Sequence, residues 1–253
     1  MGSVEGKVVF LTGAGAGIGE GIARHLGACG AAVGLAGRTL GKVEAVAAAI
    51  VAAGGSAIAV RCDVNERADV DAAVAATVDR FGPIDICVNN AQGGGSGMGP
   101  PLEHLGDDDV LAAHRGGPLA TLYGMQACFP HMKERGGTIV NMGSSTGVMG
   151  DRRFAAYGMA KEAIRGLTKH AANEWGRYGI TVNVICPAAL SEGAEKFRDT
   201  QPERWSQVLR EIPLGRMGDP ITDIAPTIVA LATDLRYLTG ATLMLDGGRC
   251  ILR

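Results

Sequence analysis

The chain is poor in aromatic side chains, with 2 Trp, 4 Tyr and 5 Phe among 253 residues, and it holds only 10 Pro. Neither sign of charge is in excess, since 24 Lys and Arg face 26 Asp and Glu for a net charge of −2. A polyanion site needs a basic footprint, and a single-strand platform needs stacking rings, so nucleic acid is not an expected partner. Long hydrophobic runs are also missing. The longest, residues 45–53, is about half of the roughly 20 residues that a membrane-spanning helix requires, so no membrane association is expected. The six cysteines, Cys29, Cys62, Cys87, Cys128, Cys186 and Cys250, stand far apart without a Cys-x-x-Cys pair. That spacing offers no zinc site and fits reduced, mostly buried thiols. Residues 1–7 lack the basic-then-apolar order of a secretion signal, and a cytoplasmic protein is expected.

What the chain has in quantity is glycine, 39 of 253 residues, about twice the usual share of ~7%. With 47% hydrophobic residues and little Pro, this is not the composition of disorder or of collagen. The chain is long enough to bury most of its apolar surface in one domain, and the glycines must serve particular places.

Short apolar runs alternate with segments of helical period. Residues 8–11, 32–36, 57–61, 84–88, 138–142, 180–185 and 241–245 read as strands. Between them, residues 17–29, 40–53, 70–81, 108–133 and 155–178 read as helices; Val70, Val74, Val78 and Phe81, for instance, share one helical face. Continuous apolar strands separated by helix-length crossovers imply a parallel sheet covered on both sides. Right-handed crossovers make it an α/β doubly wound sheet of seven strands in a single domain, residues 1–253, with ligands outside the carboxyl ends of the strands. Residues 190–213, charged and containing Trp205, break the alternation. They read as a surface insertion, or as a lid over the site.

Directly after the first strand comes Thr12-Gly13-Ala14-Gly15-Ala16-Gly17-Ile18-Gly19-Glu20. Glycines there let the backbone turn sharply and approach a pyrophosphate, while the helix that follows offers free N–H groups and the positive end of its dipole. Such turns also occur for packing alone, but the strand-to-helix context is what a dinucleotide site demands. No Lys-Ser/Thr pair follows, which disfavours a nucleoside-triphosphate loop. At the end of the second strand, where a carboxylate would bind the adenosine ribose, the chain has Gly37-Arg38-Thr39. Arg38 can hold a 2′-phosphate and Thr39 can add a hydroxyl, which favours NADP(H) over NAD(H); a solvated Arg at a strand end is the alternative.

Tyr157 and Lys161 are four residues apart, on one face of their helix. A phenol is a poor acid–base group at neutral pH, but an adjacent cation stabilises the phenolate. Ser144, 13 residues upstream of Tyr157 and just past the fifth strand, could reach the same cleft and bond a substrate oxygen; as a helix cap it would serve structure alone.

In their joint order and spacing, the glycine turn 12–19, Asp63-Val64, Asn89-Asn90-Ala91, Ser144, Tyr157-x-x-x-Lys161, Asn183 with Pro187, and Asp246-Gly247-Gly248 resemble the short-chain dehydrogenase/reductase family over nearly the entire chain. The resemblance implies a seven-stranded Rossmann domain and hydride transfer between a nicotinamide and a carbonyl or secondary alcohol. It implies that Gly13, Gly15, Ala16, Gly17, Ile18 and Gly19 meet the cofactor phosphates, Asp63 and Val64 the adenine, and Asn90 and Ala91 the adenosine ribose. Tyr157 and Lys161 would meet the nicotinamide ribose, and Pro187 with the residues after it, through Leu190, would border the nicotinamide. It also implies pairing through the long helices after strands four and five, as a homodimer or homotetramer. The segment 212–220 resembles that of 3-oxoacyl-thioester reductases, a motif shared with many secondary-alcohol dehydrogenases.

Three positions depart from the family pattern. Gln92 replaces a Gly, His114 aligns with an Asn that supports a proton relay, and Glu192 follows an altered Pro187-Ala188 turn. His114 is therefore a candidate catalytic residue, with a packed structural role as its alternative. Glu192 would repel a nearby phosphate unless it swings away. The leading expectation is an NADP(H)-dependent oxidoreductase with Ser144, Tyr157 and Lys161 at its centre. The three departures keep open a cofactor-binding, redox-sensing or scaffolding protein with little catalysis.

Overall fold

The computed structural model describes residues 2–94 and 97–252, apart from the Glu192 side chain. Seven strands form one parallel sheet: β1 (Val8–Thr12), β2 (Ala32–Gly37), β3 (Ser56–Arg61), β4 (Ile86–Asn89), β5 (Gly137–Met142), β6 (Ile180–Pro187) and β7 (Thr242–Leu245). Their spatial order is β3-β2-β1-β4-β5-β6-β7. The chain builds outward from β1 to β3, then crosses back to β4 on the other side of β1. The crevice at the carboxyl ends of β1 and β4 is therefore the topological switch point, where open α/β sheets bind ligands.

Helices α1 (Gly17–Ala28), α2 (Leu40–Ala52), α3 (Arg67–Phe81), α4 (Asp107–His114), α5 (Ala120–Met132), α6 (Ser145–Met149), α7 (Ala155–Trp175), α8 (Glu192–Thr200), α9 (Pro202–Arg210) and α10 (Ala225–Ala232) complete the chain. Alternate residues of β1 feed opposite layers. Val9 and Leu11 join Ile22, Leu26, Val43, Ile50, Ile228 and Leu231 of α1, α2 and α10 on one face. Phe10 joins Val70, Val74, Met125, Met132 and Ala171 of α3, α5 and α7 on the other. With both faces covered, every residue of β1, β4 and β5 is buried, which is why these strands read as largely apolar runs.

One expectation needed correction, and two helical regions were not foreseen. The helix expected over residues 108–133 is interrupted, because residues Arg115–Leu119 form a wider π-type turn between α4 and α5. Pro118 has no N–H to donate, and Gly116 and Gly117 are weak helix formers, so the α ladder breaks there. Residues 190–213 hold two helices, α8 and α9, with Pro202 opening the second. Helix α10 closes the layer beside α1 although no strand-helix alternation announced it; Pro226 stands in its first turn, where a missing N–H is harmless.

Candidate active site

The glycine turn is tied to the end of β4 by Thr12 and Asn90. The Thr12 hydroxyl accepts from the backbone N–H groups of Asn90 and Ala91, both at 3.1 Å. The Asn90 side chain donates to the carbonyls of Thr12 (3.0 Å) and Gly13 (3.1 Å). This packing leaves no room for a side chain at Gly13 or Gly19. A Cβ on Gly19 would lie 2.1 Å from the Gly13 carbonyl oxygen, and Gly13 itself has φ +68°, a left-handed value natural to glycine. The result is a cleft of about 420 Å³ lined by Gly13, Ala16, Gly17, Ile18, Gly19 and Arg38, and further along by Val64, Asn90 and Ala91. Its volume and its exposed helix N-terminus suit a phosphorylated ligand.

One strand over, β5 and α7 bring the predicted chemical groups together. Ser144 caps α6, its hydroxyl accepting from Thr146 N–H at 3.2 Å, so the structural role is real. The same side chain faces the Tyr157 phenol and acts on its titration. Lys161 is buried, with 3% exposure. Its ammonium donates to the Met142 carbonyl at 3.0 Å and lies 5.4 Å from the centre of the Tyr157 ring. Burial pulls the Lys161 ammonium down to about 8, with Cys186 opposing. Burial pushes the Tyr157 phenol up, while the Ser144 hydrogen bond pulls it down. The phenol therefore stays protonated at neutral pH in the cofactor-free protein, and the lowering expected from an adjacent cation does not dominate there.

A chain of buried amides supports this arrangement. Asn89 donates to Asn141 at 2.9 Å, and Asn141 donates to Thr168 of α7 at 3.0 Å, which links β4, β5 and α7 beneath the site. Asn183 and Asp246 are also structural. Asn183 donates to the Leu238 carbonyl and accepts from Ala241 N–H, and Asp246 caps the final turn through Gly248 and Cys250 N–H.

Other predicted residues sit beside the cleft without lining it. Gly15 packs on α2, where a Cβ would lie 3.1 Å from that of Lys42. Thr39 precedes α2 at its N-cap position. Asp63 accepts from Asn65 N–H at 3.0 Å in a local turn. Pro187 ends β6, and Leu190 N–H donates to Gly218. His114 ends α4 with Nδ1 3.1 Å from the Val110 carbonyl, its one hydrogen bond among the described residues. Glu192 opens α8, but its side chain lies outside the described residues, as do Gly95 and Ser96 of the glycine-dense loop. The cleft also includes Gly37, Cys62, Gln92, Gly93, Ser191 and Gly193, which were not assigned to it from sequence. Ser191 could have been found as the cap of a helix, since it precedes α8 and accepts from Ala194 N–H at 3.2 Å; Cys62 carried no comparable signal.

Comparison with known proteins places this chain and its fold among hydride-transfer oxidoreductases of the Rossmann type. The chain belongs to the short-chain dehydrogenase/reductase family: a family profile described as enoyl-(acyl carrier protein) reductase matches residues 13–249. Among its relatives is a 12alpha-hydroxysteroid dehydrogenase of Clostridium sp., 39% identical and covering 98% of each chain. A 3-oxoacyl-(acyl-carrier-protein) reductase of Staphylococcus aureus is 36% identical over 96% of this chain and 97% of its own. A solved 7 alpha-hydroxysteroid dehydrogenase, complexed with NADH and 7-oxo glycochenodeoxycholic acid, superposes with a TM-score of 0.90 at 29% identity, covering 97% of this chain and 95% of that one. No helix among the described residues is long and apolar enough to cross a membrane.

Proposed function

We propose that this protein is an NADP(H)-dependent reductase or dehydrogenase of a small carbonyl or secondary-alcohol substrate, with Tyr157 as general acid and base. The observation that carries the reading is the convergence of Ser144, Tyr157 and the buried Lys161 at the carboxyl edge of the sheet, together with a glycine turn that has no room for a Cβ at Gly13 or Gly19. When bound, the dinucleotide supplies or accepts the hydride. Gly13, Gly17 and Gly19 approach its phosphates, and Arg38 at the end of β2 holds the 2′-phosphate. The absence of a carboxylate beside Arg38 is what supports NADP(H), although the solved 7 alpha-hydroxysteroid dehydrogenase was crystallised with NADH.

In reduction, Ser144 donates a hydrogen bond to the substrate carbonyl oxygen as negative charge develops on it. The Tyr157 hydroxyl then gives its proton to that oxygen, which closes the product alcohol. Lys161, charged at neutral pH and fixed on the Met142 carbonyl, stabilises the phenolate that remains. Oxidation runs the same steps backwards. Relatives named as a 12alpha-hydroxysteroid dehydrogenase and a 3-oxoacyl-(acyl-carrier-protein) reductase support the carbonyl and secondary-alcohol class. Residues 190–213 serve as a lid, consistent with Ser191 and Gly193 lining the cleft. The exposed Leu111, Leu119 and Met159 on and between α4, α5 and α7 support a homodimer or homotetramer, which light scattering checks.

The test is cofactor absorbance at neutral pH against a panel of ketones, hydroxysteroids and 3-oxoacyl thioesters. Turnover with NADPH on at least one member, lost in Tyr157→Phe with dinucleotide binding retained, is the expected result. Tight NADPH binding without turnover on any of them would favour a sensing or scaffolding protein instead.

A further inference from the structure

Gln92 stands where the loop after β4 enters the cleft, and it lines the same cavity as Gly13 and Gly19. Its amide nitrogen is fully used, donating to the Gly94 carbonyl at 2.8 Å and to the Ala113 carbonyl at 3.4 Å. Its Oε1 is buried and has no donor among the described residues. Exchanging the two amide atoms would set oxygen against two carbonyls, so the surroundings fix this orientation. A buried acceptor without a donor is unfavourable, and in a native structure it requires a reason.

The neighbouring backbone is shaped around this amide. A Cβ on Gly117 would lie 3.3 Å from Nε2 and 3.4 Å from Oε1 of Gln92, and 3.5 Å from Cβ of Ala160, the residue before Lys161. The Gly116 carbonyl accepts from Gly93 N–H at 2.8 Å, and a Cβ on Gly116 would lie 2.6 Å from the Gly94 nitrogen. The π-type turn 115–119 thus brings two glycines flush against residues 92–94. Such turns recur at functional sites. Two glycines and an interrupted helix, none of them required by the sheet, make room for one polar side chain at the edge of the cleft.

We infer that Gln92 is a cofactor-positioning residue whose Oε1 accepts a hydrogen bond from an O–H donor that arrives with the dinucleotide, a ribose hydroxyl or a water carried beside it. The inference rests on the dinucleotide reading above and adds to it a residue that departs from the family pattern.

The experiment measures the dissociation constant of NADPH by fluorescence titration for the full-length wild-type protein and for Gln92→Met, with the thermal midpoint of each taken without cofactor. Met keeps the volume and removes the acceptor together with the Nε2 donor. Binding weakened about five- to tenfold, the worth of one neutral hydrogen bond, is expected, with a cofactor-free midpoint lowered by the loss of the two bonds that Nε2 donates to Gly94 and Ala113. Equal dissociation constants overturn the inference. So does a wild-type holoprotein crystal structure in which Oε1 has neither a ribose hydroxyl nor a water within hydrogen-bond distance; this second measurement stands even if Gln92→Met fails to fold, and it separates the two donors. A wild-type protein that binds no dinucleotide overturns the dinucleotide reading itself, and the inference with it.

Discussion

Lys161→Met should stabilise the cofactor-free protein at neutral pH while removing its activity. The ammonium is buried, and burial holds its pKa at about 8 instead of 10.5. At roughly 1.4 kcal/mol per unit, carrying the charge at pH 7 costs the fold ~3 kcal/mol. Met fills a similar volume without charge, and the loss of the bond to the Met142 carbonyl takes back ~1 kcal/mol. The net gain is ~2 kcal/mol, or roughly 4–8 °C in the melting midpoint of a chain this long. The sign with pH follows from a folded pKa below the unfolded one. The penalty is complete below pH 8, is relieved as pH rises from about 8 to 10.5, and is gone above that. The advantage of the variant should therefore shrink toward zero, or reverse slightly, by pH 10.5. Calorimetry of both proteins without cofactor, at pH 7 and pH 10, checks this. A variant that melts below the wild type at pH 7, or an advantage that does not shrink with pH, would refute the reasoning.

Gly19→Ala would put a Cβ 2.1 Å from the Gly13 carbonyl oxygen, so the turn must open; dinucleotide titration should show binding weakened at least ~100-fold, as expected when backbone rather than a flexible side chain must move. Arg38→Ala should lower kcat/KM for NADPH by roughly one to two orders of magnitude while leaving NADH little changed, the effect of one lost charge-assisted contact. The kcat/KM for carbonyl reduction should hold through neutral pH and fall above about 8, where Lys161 of the free enzyme gives up its proton; a profile flat to pH 10 would argue against its role.

Most of the fold was legible because a doubly wound sheet writes itself as apolar runs at regular intervals. β1, β4 and β5 are buried on both faces, and their residues are correspondingly mostly hydrophobic, with Thr12, Asn89, Thr138 and Asn141 as the polar exceptions. The glycine turn was legible for a different reason, since close approach between Gly13, Gly19 and Asn90 forbids side chains and leaves glycine as its mark. The interruption at Arg115–Leu119 was not read, although Gly116-Gly117-Pro118 announced it, because the apolar period continues on both sides. α8 and α9 were hidden by their charge: their helical period is carried by a narrow apolar edge, Phe197 against Trp205, whose ring centres are 6.2 Å apart. At the site, Ser144, Tyr157 and Lys161 could be placed from spacing, but their titration could not. Burial is a property of the packed fold, and it moves Lys161 down and Tyr157 up. Gln92 stood out in sequence only as a departure, and its orphaned oxygen became visible once Gly116 and Gly117 were seen against it.

The central claim is hydride transfer with Tyr157 handling the proton, and transfer of label tests it most directly. NADPH carrying deuterium at C4 of the nicotinamide is incubated with the enzyme and a reducible ketone, and the product alcohol is examined by mass spectrometry and NMR. The account predicts deuterium on the carbinol carbon with the wild-type protein and no labelled product with Tyr157→Phe, although that variant still binds NADPH. Labelled alcohol formed at the same rate by Tyr157→Phe, or product from the wild type without deuterium at that carbon, would contradict it.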